Sequence, residues 1–191
     1  SHIATQGGSK IKTSIDHIIK YINLQYRLVH RLDKETSGLL LIAKNLNSAK
    51  KLSSLFKQKE ITKFYIALCE GSPKNNSSHV KLEIRNKKLK TENTLTNYKL
   101  LNKNKGISSI LFNPQTGKTH QLRIVSKNLG CPIVGDHKYN IHSKHSKEKL
   151  MLHAIALKFE INTKKFEFIS KLPDHLIRFA KKNNLKISKD F

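Results

Sequence analysis

Gly38-Leu39-Leu40-Leu41-Ile42-Ala43, with Lys44-Asn45-Leu46 behind it, is the stretch on which the fold turns. Its apolar run is too short for a buried helix and follows a glycine, which favours a core strand over Leu39–Ala43. The polar residues ahead of it, His30 to Ser37, then form a loop that feeds the strand. Behind it, Leu46, Ala49, Leu52, Leu55 and Phe56 keep a 3.6-residue period. With Asn45 or Asn47 as the cap, the spacing predicts a helix running to Lys59. Phe64 to Leu68 is aromatic and aliphatic again, so the order is strand, helix, strand.

Working outward, Ser1 to Lys12 reads as a polar loop, and Ile15, Ile18, Ile19 and Ile22 place a short helix after it. Gly71 to Ser78 is a loop. Extended stretches at 95–101 and 107–112 flank Asn102-Lys103-Asn104-Lys105-Gly106, a hairpin connection. Asn113 to Gly117 is a turn, and Thr119 to Leu129 reads as a helix with Gly130 past its end. Tyr139 to Lys149 is a basic, exposed loop. Residues 151–159 and 165–169 form a second hairpin, and Pro173 opens a last helix with Leu176, Ile177 and Ala180 on its apolar side. Strands paired through short turns predict an α+β fold, a single domain over 1–191 with a mixed, mostly antiparallel sheet flanked by helices.

Composition sets the class. A chain of 191 residues, 37% of them hydrophobic, buries one ordinary core. No run approaches the ~18 apolar residues of a membrane helix, and the N-terminus carries no signal-like apolar stretch. The two cysteines, Cys69 and Cys131, fit neither a disulfide framework nor a paired-cysteine metal site, which suggests reduced thiols in a cytoplasm. The charge is dominant: 37 Lys and Arg against 13 Asp and Glu give +24, a field that draws polyanions, with nucleic acid the first partner to suspect. Only five of the basic residues are Arg, alongside abundant Lys, Ile and Asn, so an AT-rich genome and a solvated lysine surface account for part of it.

The residues that can carry chemistry are few. Asp33 lies two residues from Arg31 and beside Lys34, in the loop that feeds the strand. Cations there would hold it ionised, as a nucleophile or a base, although an Asp among basic residues is also an ordinary loop salt bridge. Gly117-Lys118-Thr119 sits between a strand and a helix, where a phosphate-binding loop would be, but Phe112 stands where its first glycine belongs. His137, His142, His145 and His153 lack metal-ligand spacing and no cysteine pair accompanies them, so no metal is expected. Cys69, in an apolar strand, reads as a buried, inert thiol.

His30-Arg31-Leu32-Asp33-Lys34-Glu35-Thr36-Ser37-Gly38-Leu39-Leu40-Leu41 resembles the signature of the RluA family of pseudouridine synthases, whose Asp is catalytic. Lys63-Phe64-Tyr65-Ile66-Ala67 resembles the family's second motif, and Gly117-Lys118-Thr119-His120-Gln121-Leu122-Arg123-Ile124 its third. Gly130 to Asp136 and Leu152-His153-Ala154 are similar to the segments that follow, all in the family's order. The resemblance implies an isomerase that turns specific uridines of RNA into pseudouridine. It implies Asp33 as the catalytic carboxylate, Tyr65 as the platform on which the flipped base stacks, Arg123 as the salt-bridge partner of Asp33, and Arg31 as the side chain that fills the helix where the base has left. It implies no cofactor.

The same resemblance sets the remaining expectations. Family members commonly have an upstream strand region and an N-terminal S4 domain, so the chain reads as a catalytic domain without its S4 domain. Gln6-Gly7-Gly8 resembles the branch acting on large-subunit ribosomal RNA, with a tRNA-modifying synthase as the alternative. The partner is RNA, with no DNA and no membrane, and the chain is read as a cytoplasmic monomer. Asn140 stands where a glycine is usual, and Val125-Ser126-Lys127 departs from the common continuation. A non-catalytic RNA-binding or ribosome-assembly protein, with Asp33 and Arg123 only a structural pair, is the reading from another class.

Overall fold

The computed structural model describes residues 3–5, 13–85 and 89–187. Lys10–Lys12 and the Gln6-Gly7-Gly8 approach lie outside them. The order is α1 (Ile15–Ile22), β1 (Arg27–Leu28), β2 (Ser37–Gly38), β3 (Ile42–Ala43), α2 (Leu46–Gln58), β4 (Thr62–Glu70), β5 (Ser77–Arg85), β6 (Thr91–Asn104), β7 (Ile107–Pro114), α3 (Gln121–Asn128), β8 (Leu152–Ile161), β9 (Lys164–Ile169) and α4 (Asp174–Lys182). A seven-stranded sheet runs β2-β8-β4-β7-β6-β5, with β9 on β8, and β1 and β3 form a separate pair. Within this sheet, among the described residues, only the β2–β8 pairing is parallel. The α+β architecture with a mixed, mostly antiparallel sheet is therefore the observed one.

Local chemistry sets the elements. Ser14 caps α1 by accepting from the His17 amide, and Asn45 caps α2 by accepting from the Ser48 amide at 2.8 Å. The β6–β7 hairpin closes on Lys105-Gly106 and the β8–β9 hairpin on Asn162-Thr163, all four with positive φ, the tight two-residue turns whose twist matches the strands. Phe112, Ile110, Val125, Ile133, Val134, Met151 and Leu176 bury one face of the sheet against α3 and α4. Ile66, Leu111, Ile155 and Ala156 form a smaller cluster.

Two expectations are corrected. The predicted core strand Leu39–Ala43 is two short strands, Ser37–Gly38 on β8 and Ile42–Ala43 on β1, with Leu39, Leu40 and Leu41 only half-buried between them. The apolar run serves two different pairings, so it never builds a continuous ladder. Strand β5 had no counterpart in the sequence reading, because on the sheet edge it exposes His79, Lys81, Glu83 and Arg85 and buries only Ile84 fully.

The joint between β2 and β8 depends on Gly38. Its φ is +112°, and a Cβ added there would lie 2.3 Å from the Ala154 carbonyl oxygen. No rotamer change relieves a clash of backbone with backbone. Ser37 hydrogen-bonds His153 Nδ1 at 2.8 Å, and the Leu39 amide donates to the same Ala154 oxygen at 3.0 Å. We expect Gly38→Ala to destabilise the fold by about 2–4 kcal/mol, from overpacking and a left-handed alanine together; urea unfolding measures it, and a midpoint within error of wild type would contradict the contact.

Candidate active site

The joint carries the His30–Thr36 loop to the edge of the sheet, where it walls a cleft of about 400 Å³. Arg31, Asp33, Phe56, Lys63, Tyr65 and Gln121 are among its lining residues. The loop is held at several points. Thr5 Oγ1 donates to the Leu32 carbonyl at 2.8 Å and accepts from its amide, the Thr36 amide donates to the Asp33 carbonyl at 3.0 Å, and His30 Nε2 accepts from the Leu41 amide at 2.8 Å. His30 also stacks on Phe56 of α2, centroids 4.6 Å apart. Asp33 is half-buried and Arg31 exposed, as a substrate contact and a reaching side chain would need to be.

Strand β4 supplies the opposite wall. Lys63 and Tyr65, two residues apart, face the same side. The pairing with β8 jumps from Phe64↔Ala156 to Tyr65↔Ala154, a bulge that leaves Ile155 of β8 without a counterpart on β4. Burial pushes the Tyr65 hydroxyl well above the usual phenol range, and the charge of Asp33 adds to it, so the ring is a neutral aromatic wall within the electrostatic reach of that carboxylate. Burial, and then the charge of Lys59, pulls the Lys63 ammonium below its ordinary value, and its Nζ lies 3.4 Å from the Thr116 carbonyl. The turn before α3 closes the third side: the buried Gln121 accepts from Thr116 Oγ1 at 2.8 Å and from the Lys118 amide at 3.0 Å.

Arg123 is 4% exposed and holds Asp136, 1% exposed, through two hydrogen bonds of 2.8 and 2.7 Å. Glu35 Oε2 lies 3.4 Å from the same guanidinium. The expected ion pair of Arg123 with Asp33 is thus not among the pairs of the described residues: the arginine's closest carboxylates are Asp136 and Glu35, and Asp33 acts on it only through space. The physical reason is reach along the chain. Gly135, whose Cβ would fall 2.2 Å from the Lys149 carbonyl oxygen, lets Asp136 turn under α3 and also accept from the Lys138 and Tyr139 amides at 3.0 Å. The Tyr139 ring lies 5.3 Å from the guanidinium carbon, and its hydroxyl is 3.0 Å from His120 Nδ1.

Sequence reading therefore brought Asp33, Arg31 and Tyr65 to one cleft, with Arg123 behind it. It assigned no role to Lys63, Glu35, Asp136, Tyr139 or His120, and Tyr139 is a packed residue rather than part of an exposed loop. Two signals were available: the two-residue spacing of Lys63 from Tyr65, and a carboxylate ending the apolar run Cys131-Pro132-Ile133-Val134. Cys69 is fully buried and burial drives its thiol upward, as an inert core residue requires. Among the described residues no three His, Cys, Asp or Glu side chains converge to hold a cation, and no helix is long and apolar enough to cross a membrane.

Comparison with known proteins shows the family. Residues 2–128 match the family model described as RNA pseudouridylate synthase, and the chain belongs to that family. It is 45% identical to the ribosomal large subunit pseudouridine synthase C of Rickettsia typhi over 92% of the chain, and spans 64% of that relative's length. It is 35% identical to the synthase D of Borreliella burgdorferi, over 80% of this chain and 50% of that one. The human RNA pseudouridylate synthase domain-containing protein 4 superposes with a TM-score of 0.83 at 22% identity, over 97% of this chain and 88% of that one, a likeness of fold. Domain-containing protein 1 superposes at 0.74 with 26% identity, over 89% and 78%.

Two outcomes follow from the electrostatics. Burial alone would raise the Asp136 carboxyl, but the Arg123 hydrogen bonds and the Tyr139 and Lys138 amides outweigh it and hold it below the usual value, so its pairing stabilises the fold above about pH 4 and is lost in stronger acid. Asp136→Asn leaves Arg123 without its buried counter-charge, and we expect a loss of about 3–5 kcal/mol in urea unfolding at neutral pH, shrinking below pH 4. His30 and His153 are each pulled down to about 4, foremost by burial, with Lys63 acting on the first and His175 on the second. Both imidazoles should titrate near pH 4 by NMR, and folding stability should fall as pH drops from about 6.5 toward 4, because the unfolded chain takes up the protons first.

Proposed function

We propose that this chain converts uridine to pseudouridine in RNA, with Asp33 as its catalytic carboxylate, and that its substrate is ribosomal RNA of the large subunit. The observation that carries the reading is the cleft itself: one loop carboxylate faces a neutral tyrosine across a basic, half-closed pocket the size of a nucleoside. The reaction breaks the N1–C1′ bond, rotates the uracil and joins C5 to C1′. A proton leaves C5 and another arrives at N1, so the atoms balance with no redox partner or energy source. Asp33, as a carboxylate, adds to the base or sugar or takes the C2′ proton.

A uridine within structured RNA hides C5, so the nucleotide must leave its stack and the gap be refilled. Arg31, exposed at the rim, has the flat guanidinium for that gap, and Tyr65 the face on which the extruded base rests. Arg123 sits behind the Asp33 loop and steadies it through Glu35. Lys57, Lys59, Lys63 and Lys118 line the cleft and meet the phosphates. The ribosomal substrate is supported by the names of the relatives above. In the same reading residues 1–191 are one catalytic domain, acting in the cytoplasm as a monomer.

The test uses RNA labelled with tritium at uridine C5, because isomerisation releases that hydrogen. Asp33→Asn, nearly isosteric, should reduce release to background while RNA binding stays within about two-fold of wild type; release at the wild-type rate would leave a binding protein. Tyr65→Leu should lower kcat/KM by about 5- to 150-fold, the worth of one stacked base. Release from large-subunit rRNA but not from tRNA transcripts is expected, and the reverse preference would reassign the substrate.

A further inference from the structure

The face of the sheet that carries Lys63 and Tyr65 does not end at the cleft. Residues opposite one another in an antiparallel pair share a face. Lys63 stands opposite Leu157 on β8, and Leu157 opposite Phe168 on β9. By strand alternation Phe159, Ile161, Lys164 and Phe166 lie on that same side, since Phe159 pairs with Phe166 and Ile161 with Lys164. Three rings meet there in a short cross-strand ladder: Phe159 and Phe166 stack with centroids 5.2 Å apart at 16°, Phe166 and Phe168 lie at 6.4 Å and 20°, and Phe159 and Phe168 at 6.0 Å and 35°. Phe168 is 41% exposed, Phe159 and Phe166 are half-buried, and β9 is an edge of the sheet. Lys164 Nζ sits 5.6 Å above the Phe166 ring.

We propose that this aromatic strip is a second RNA site, a stacking platform for unpaired bases next to the uridine held in the cleft. The inference rests on RNA being the substrate. Three features select that occupant. The strip lies on the same face as the cleft wall, beyond the buried Leu157: two strand spacings and two residues of rise place Phe166 roughly 12 Å from Lys63, within reach of nucleotides flanking a uridine in the cleft. Parallel ring faces suit bases of any identity, each contact worth about 1–3 kcal/mol. A lysine over the ladder, on a chain of net charge +24, favours a polyanion over an apolar protein segment. The strip therefore favours RNA whose target uridine has a single-stranded flank and contributes nothing to a continuous duplex.

The experiment compares a 12-nucleotide oligouridylate with a 12-base-pair RNA duplex, by fluorescence anisotropy on the intact chain. Replacing the two rings that β9 carries, Phe166→Leu and Phe168→Leu, keeps apolar volume and removes their stacking faces. The expected result is oligouridylate binding weakened by about five-fold or more, with duplex binding within two-fold. Equal losses on both probes, or none on either, overturn the proposal. Independently of any variant, a 4-thiouridine oligonucleotide irradiated on the wild-type chain should crosslink to the 164–171 segment as well as to the Tyr65 segment; crosslinks confined to the Tyr65 segment overturn the strip while leaving the cleft's function standing. Tritium release from ribosomal RNA by wild type is measured alongside, and its absence from every RNA tested sinks the catalytic reading instead.

Discussion

Everything in the cleft hangs on the approach of Gly38 to the backbone of Ala154. The His30–Thr36 loop has little apolar surface of its own, and a loop without burial does not hold a geometry. What fixes it is a two-residue parallel bridge to β8, the strand that also pairs with β4. Tyr65 is opposite Ala154 on one edge of β8, and Gly38 meets the same alanine on the other. The two walls are therefore positioned by a single residue of a third strand, and the distance between them is set by backbone hydrogen bonds, the least deformable spacing a protein has.

Charge is layered behind that frame. The buried Arg123 is neutralised by Asp136 through two short hydrogen bonds, which makes it a structural ion and not a mobile one. Its remaining field falls on Glu35 and Asp33, in the loop that needs it. Lysines at the cleft rim then face the solvent. A buried pair neutralises the core arginine, and an exposed basic rim attracts a polyanion; the same sign of charge serves two purposes because its depth differs.

Helices α1 and α2 were legible because each begins at a side chain that accepts from its own first turn, Ser14 and Asn45, and repeats its apolar residues at 3.6; α3 and α4, with no such cap bond, were read from their apolar spacing and from the flanking Gly130 and Pro173. The two hairpins were legible because their turns are short and their strands apolar. Strand β5 was not, since His79, Lys81, Glu83 and Arg85 alternate with its Val80, Leu82 and Ile84 and leave no apolar run, and the Leu39–Ala43 run was misread as one strand because a sequence cannot say that successive residues pair with different partners. At the site, Asp33, Tyr65 and Arg31 could be named from motif strings. The partner of Arg123 could not, for Asp136 and Asp33 are both acidic residues of such strings and only the turn at Gly135 selects between them.

The chain of residues is enough for the α+β class, for a basic partner-seeking surface and for the family, because periodicity, net charge and contiguous motifs are local or additive quantities. Which carboxylate neutralises which arginine, which way Tyr65 points, and that three phenylalanines separated in sequence stand in one ladder beside the cleft were settled only in three dimensions. Each depends on strand register, and register is a relation between segments far apart along the chain, set by the sum of their contacts and written in neither one.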